Sequence, residues 1–166
     1  MDNTSYNTND AVIQALEKYA DMVRRICYLH LDNRSDVEDV FQDVFLKLLQ
    51  SGKTFENDEH EKAWLCRVTI NRCKDLSKSF FHTRTCSIDK AQPLFEDKIE
   101  SDVMESTLSL PPKLKDIIYL FYYEDYTVPE IAKLLNKKEN TIYSNLHRAR
   151  KLLKVKLGGY ESEHLF

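Results

Sequence analysis

Glycine and proline are scarce in this chain of 166 residues, which has only 3 and 4 of them. Folds built from strands and tight turns need both residues at the turns, so a β-rich architecture is excluded. Long apolar runs are missing too, and no stretch approaches the ~20 residues of a membrane-spanning helix. The opening MDNTSYNTND is polar and acidic, which fits neither a secretory signal nor a transit peptide. A cytoplasmic location without membrane insertion is therefore the expectation. The four cysteines, Cys27, Cys66, Cys73 and Cys86, form no C-x-x-C pair, and reduced, mostly buried thiols are expected. His82 and Cys86 have a ligand-like spacing, yet no second pair completes a tetrahedral site. His60-Glu61 begins like a zinc-protease motif, but Trp64 stands where the second histidine belongs. There is no glycine-rich phosphate loop and no nucleophile–base set. No metal, cofactor or catalytic step is expected.

What the chain has instead is helical periodicity. Val12, Ile13, Leu16, Tyr19, Val23, Ile26 and Cys27 follow a helical spacing and predict a first long helix. Ser35 and Glu38 read as a capping box that opens a second helix, with Val37, Val40, Phe41, Val44, Phe45 and Leu48 on one side. Residues 49–61 read as a loop. A third helix is predicted from Lys62 to about Ser79, with Trp64 expected in its core. Residues 82–102 lack periodicity and read as a linker. Leu114, Ile117, Ile118 and Phe121 then predict a helix behind Pro111-Pro112.

The last segment is the most explicit. Thr127 and Glu130 form a T-x-x-E capping box with Pro129 in the first turn. Asn136 suits the left-handed conformation that often ends a helix. A second helix starts near Glu139 or Asn140 and turns Ile142, Leu146, Ala149 and Leu153 inward. Thr141, Ser144, Asn145 and Arg148 fall on another face, among the cations Lys137, Lys138, Arg150, Lys151 and Lys154. Two short helices with a polar, basic second member fit a helix-turn-helix. The alternative is an ordinary helical hairpin with a solvated basic face.

Charge is unevenly spread, although the net value is only −3. Residues 62–90 carry 7 basic and 2 acidic side chains, and residues 137–156 carry 7 and 1. Between them, residues 91–112 carry 1 basic and 5 acidic. Two basic blocks separated by an acidic one point to two nucleic-acid contacts on two bodies.

Three segments, SDVEDVFQDVFLKLLQ, FENDEHEKAWLCRVTINRCKDLSKS and LPPKLKDIIYLFYYEDYTVPEIAKLLNKKENTIYSNLHRARKLL, occur in that order. Together they resemble the bacterial extracytoplasmic-function sigma factors, which have sigma regions two and four joined by a linker. The resemblance implies an all-α fold of two small helical domains and a flexible linker, the C-terminal domain containing the helix-turn-helix. It implies region two over residues 10–80, the linker over 81–102 and region four over 103–158. It implies core RNA polymerase and promoter DNA, both duplex and melted non-template strand, as partners, and it makes an anti-sigma factor a candidate regulator. A stand-alone helix-turn-helix regulator is the competing reading. That reading accounts for the C-terminal segment but leaves the acidic and basic helices before it idle.

Residue by residue, the resemblance assigns Asp36, Asp39, Gln42 and Asp43 to core polymerase. Acids near a helix start also complement its dipole, which explains Asp36 well and Asp43 poorly. Arg67, Asn71, Arg72, Lys74 and Lys78 are assigned to the minus-ten region, with Phe55 and Asn57 in a loop that receives a flipped base. Phe55 either stacks on that base or anchors the loop. Lys137, Lys138, Thr141, Tyr143, Ser144, Asn145, His147, Arg148 and Lys151 are assigned to the minus-thirty-five element. Tyr143 and Asn145 stand where the family often has arginine or lysine.

Overall fold

The computed structural model describes residues 3–80 and 104–156. The chain divides into two compact units, Met1–Pro93 and Leu94–Phe166. All regular structure among the described residues is helical.

Among the described residues, the first unit has three helices, α1 (Asn3–His30), α2 (Arg34–Ser51) and α3 (Asp58–Phe80), each packed on the other two. Val23, Ile26 and Cys27 of α1 meet Val37, Val40 and Val44 of α2 and Leu65, Cys66 and Cys73 of α3 in a core closed to water. Cys27, Cys66 and Cys73 are buried there as thiols, with no disulfide among them, as expected; Cys86 and His82 lie outside the described residues. Among the described residues no cluster of metal-ligating side chains occurs, and no helix is long and apolar enough to cross a membrane.

The first long helix is present as α1, but two helix starts differ from the sequence reading. α2 is capped by Asn33, not Ser35: the Asn33 Oδ1 accepts the Asp36 N–H at 2.8 Å, and its carbonyl accepts the Val37 N–H. Asparagine is as good a cap as serine, and its earlier position lets Val37 enter the core. α3 begins at Asp58, four residues before Lys62. The Asn57 Oδ1 accepts the His60 N–H at 2.9 Å. Asp58, Glu59 and Glu61 then fill the first turn, where acids complement the helix dipole. That acidic run looks like loop in composition alone. The true loop is 52–57, entered through Gly52 at φ +56°, a conformation that strains any side chain.

Among the described residues, the second unit has a helical stretch at 104–108, followed by α4 (Pro112–Tyr122), α5 (Val128–Leu135) and α6 (Glu139–Lys156). The capping box of α5 is present: the Glu130 carboxylate accepts the Thr127 N–H at 2.8 Å, and the Glu130 N–H reaches the Thr127 Oγ1. Asn136 takes φ 53°, ψ 53°, and the Lys137 N–H returns to the Ala132 carbonyl at 2.8 Å. Ile131 and Leu134 of α5, Ile117 and Ile118 of α4, and Ile142, Leu146, Ala149 and Leu153 of α6 are all buried. Each full burial of an isoleucine or leucine contributes about 1.5–3 kcal/mol. The segment 82–102 lies outside the described residues.

Candidate nucleic-acid and polymerase interfaces

α2 turns its core residues toward α1 and α3 and leaves an acidic outer face. Asp39 and Gln42 are exposed on it. Asp36 is tied to the Asn33 side chain and serves the helix start. Asp43 is not free: the Arg72 Nε and Nη2 both donate to its Oδ2, at 2.9 and 2.7 Å. One turn beyond Gln42 and Asp43, Leu46 is 49% exposed, an apolar group on an otherwise polar face. Sequence reading left Leu46 unassigned, although its half-turn offset from Val37 already points it outward. On the inner edge Arg24 of α1 lies 4.2 Å over the Phe41 ring and 3.9 Å from Glu38, so α1 braces this helix.

α3 exposes Arg67, Asn71 and Lys78 along one line, with Lys74 half-buried beside it. At the head of α3, the loop 52–57 folds onto the helix. The half-buried Phe55 sits edge-on to His60 at 5.5 Å and tilts against Trp64 at 5.8 Å, so it anchors the loop. Trp64 is half-buried on the flank and lies outside the core expected for it, with the Lys53 ammonium 5.5 Å from its ring centre. A cavity of about 450 Å³ opens beside the loop, walled by Thr8 and Val12 of α1, Leu48, Asn57 and Glu61. The Asn57 oxygen is already engaged in capping.

The same end of α3 is held by α1. Tyr19 donates its hydroxyl to the Asp58 carbonyl at 3.0 Å, and Lys18 pairs with the Asp58 carboxylate at 3.1 Å. Burial first, and the nearby Asp58, Glu61 and Glu59 next, push the Tyr19 phenol up to about 12, so it remains a donor at neutral pH. Burial also raises the Glu61 carboxyl above its ordinary value, against the pull of Lys18.

In the second unit, Thr141, Ser144, Arg148 and Lys151 are exposed on α6, with Asn145 half-buried beside them. Tyr143 and His147 are exposed on a neighbouring face. Lys137 and Lys138 are exposed at the turn, where a shallow groove of about 600 Å³ is bounded by Pro129, Lys133 and Asn140. Arg150 differs from the other cations. Its Nε donates to the Tyr122 hydroxyl at 2.7 Å, and its guanidinium lies 5.3 Å from the Phe121 ring centre. Burial pushes the Tyr122 phenol up, and Arg150 partly offsets this. Arg150 thus ties α6 to α4, a role that periodicity alone could not distinguish from phosphate binding.

The sequence model of sigma-70 region 2 matches residues 15–79, and that of sigma-70 region 4 matches residues 102–153. The chain is 28% identical to the RNA polymerase sigma factor SigV of Bacillus subtilis over 137 residues, covering 80% of this chain and 82% of that one. It is 23% identical to the ECF RNA polymerase sigma factor SigW of the same organism, with 89% of each chain covered. Among solved structures, the sigma factor RpoE of Bartonella quintana, in complex with the anti-sigma factor NepR, has a similar fold. The TM-score is 0.70 at 20% identity, covering 87% of this chain and 95% of that one. CnrH in complex with the cytosolic domain of CnrY gives a TM-score of 0.67 at 20% identity, covering 95% and 94%. With α1–α3 lying under the region 2 match and the α5–α6 helix-turn-helix under the region 4 match, the chain belongs to the sigma-70 family and to its extracytoplasmic-function branch.

Proposed function

We propose that this chain is an alternative sigma factor: it binds core RNA polymerase in the cytoplasm, brings it to promoters and supports DNA opening and transcription initiation. The observation that carries the reading is the succession of region 2 and region 4 in one chain. A lone operator-binding regulator has no use for the first. Region two spans residues 10–80 in this reading, the linker 81–102 and region four 103–158.

Asp39 and Gln42, with Asp43 and Asp36 beside them, present an acidic face suited to a basic helix of the polymerase. Arg67, Asn71, Lys74 and Lys78 follow the melted minus-ten strand, cations on phosphates and asparagine on a base edge. Phe55 and Asn57 border the cavity beside the loop, where an extruded base is held. Lys137, Lys138, His147 and Lys151 hold the minus-thirty-five duplex while Thr141, Tyr143, Ser144, Asn145 and Arg148 face its major groove. An anti-sigma factor is a further partner, by likeness to RpoE with NepR. The chain itself performs no catalytic step.

Capture of core polymerase tests the reading. Asp39→Arg is the clean variant, because Asp39 is exposed on the acidic face while Asp43 is engaged with Arg72. It should weaken capture about tenfold or more while the chain stays folded. Undiminished capture by the folded variant would remove α2 from the polymerase interface.

A further inference from the structure

Arg72 stands apart from the other polar groups assigned to DNA on α3. At 3.6 residues per turn, Arg67, Asn71 and Lys78 fall within about 40° of one another, whereas Arg72 lies roughly 100–140° round the helix. That rotation carries it to the flank next to α2, where both of its donors meet one oxygen of Asp43, at 2.9 and 2.7 Å. The carboxylate belongs to the acidic face of α2, and the guanidinium belongs to the basic helix. The ion pair therefore joins the two functional surfaces of the first unit directly, with no intervening residue. Its side chains are 42% and 47% exposed, so solvent and partners can reach it.

We propose that Asp43 masks Arg72 in the free chain, and that a basic polymerase helix seated on Asp39 and Asp43 releases Arg72 to a DNA phosphate. The idea rests on the sigma-factor reading above and makes Arg72 a DNA contact available chiefly within the polymerase complex. Neutralisation by a carboxylate in direct contact leaves the guanidinium little attraction for a phosphate. A second cation placed against the same carboxylate weakens that hold, and an exposed pair carries too little free energy to resist. Linkage makes the effect reciprocal: a phosphate that takes Arg72 exposes Asp43 and tightens polymerase binding by the same factor. For an exposed pair that factor is about two- to fivefold.

The test compares Asp43→Asn, which keeps the shape and removes the charge, with the unaltered full chain. Free of polymerase, each is titrated onto a fluorescent single-stranded oligonucleotide of mixed sequence. Asp43→Asn should bind about two- to fivefold more tightly, with a salt slope steeper by about 0.7 for one added phosphate contact. Adding Arg72→Gln to Asp43→Asn should cancel that gain. In the complex with core polymerase, Asp43→Asn should give no such gain, and Arg72→Gln alone should weaken DNA binding. No gain for Asp43→Asn, or a gain that survives Arg72→Gln, overturns the proposal and leaves the pair as a clamp between α2 and α3. If the unaltered chain fails to capture core polymerase, the sigma-factor reading fails, and the release step with it, whatever the oligonucleotide titration gives.

Discussion

Arg148 and Arg150 lie two residues apart on α6 and meet opposite surroundings. Arg148 is exposed on the line of Thr141 and Ser144. Arg150 is half-buried, bonded to Tyr122 and close to Phe121. Replacing each by alanine should therefore separate reading from holding the fold. Arg150→Ala loses a hydrogen bond and a cation–ring contact. It should cost about 1–2 kcal/mol and lower the unfolding midpoint of the C-terminal unit by several degrees. Arg148→Ala should change the stability of that unit by no more than about 0.5 kcal/mol and leave the midpoint nearly unmoved. If Arg148 pairs with a guanine, its loss costs about 1–3 kcal/mol of promoter binding and relaxes preference at one base pair. Binding to a panel of minus-thirty-five variants at fixed salt reads this out; equal losses on every variant would make Arg148 a phosphate anchor. Sequence grouped Arg150 with the phosphate-binding cations because charge and period are visible there while its partner, 28 residues away, is not. The pairing of Arg72 with Asp43 is hidden from sequence for the same reason: the two lie on different helices, 29 residues apart.

At the scale of elements, the legible features were those written in local chemistry. The α5 start is complete in four residues, Thr127 to Glu130, and the structure has it as read. The buried stripe of α6 follows from spacing alone. The starts of α2 and α3 are less legible: α2 has a second candidate cap in Ser35 beside Asn33, and the acidic first turn of α3 has the composition of a loop. Trp64 was placed in the core on size, yet the three helices close without it and leave its face to Phe55 and Lys53. The cap of α5 also carries a pH signature. Hydrogen bonds from the Thr127 backbone and hydroxyl hold the Glu130 carboxyl below its ordinary value of 4.5. A depressed acid contributes stability that is full above that value and is lost as pH falls through the folded pKa. Thr127→Ala should cost about 0.5–2 kcal/mol at neutral pH and weaken this acid dependence. Thermal melts of the two forms between neutral pH and about pH 3 check both; an unaltered acid profile in Thr127→Ala would mean that other carboxyls dominate.

Across the whole molecule, a net charge of −3 conceals two basic stretches, 62–90 and 137–156, and an acidic face on α2. Beside the succession of the two regions, this distribution fits the proposed sigma-factor role better than that of a lone DNA-binding regulator, because an acidic face suits a basic partner that DNA cannot supply. The order of the two regions was legible in sequence, since each unit is built from contiguous helices. The α2–α3 ion pair emerges only from the packing of helices against one another, whereas the outward turn of Leu46 is readable from its spacing to Val37. The central claim is that this chain confers promoter selectivity on a polymerase. Run-off transcription with purified core RNA polymerase on fragmented bacterial genomic DNA tests it most directly. Addition of the chain should produce a discrete set of transcripts sharing upstream elements, and Asp39→Arg should reduce them all together. Duplex binding without any chain-dependent transcript, and without core capture, would contradict the account and identify an operator-binding regulator instead.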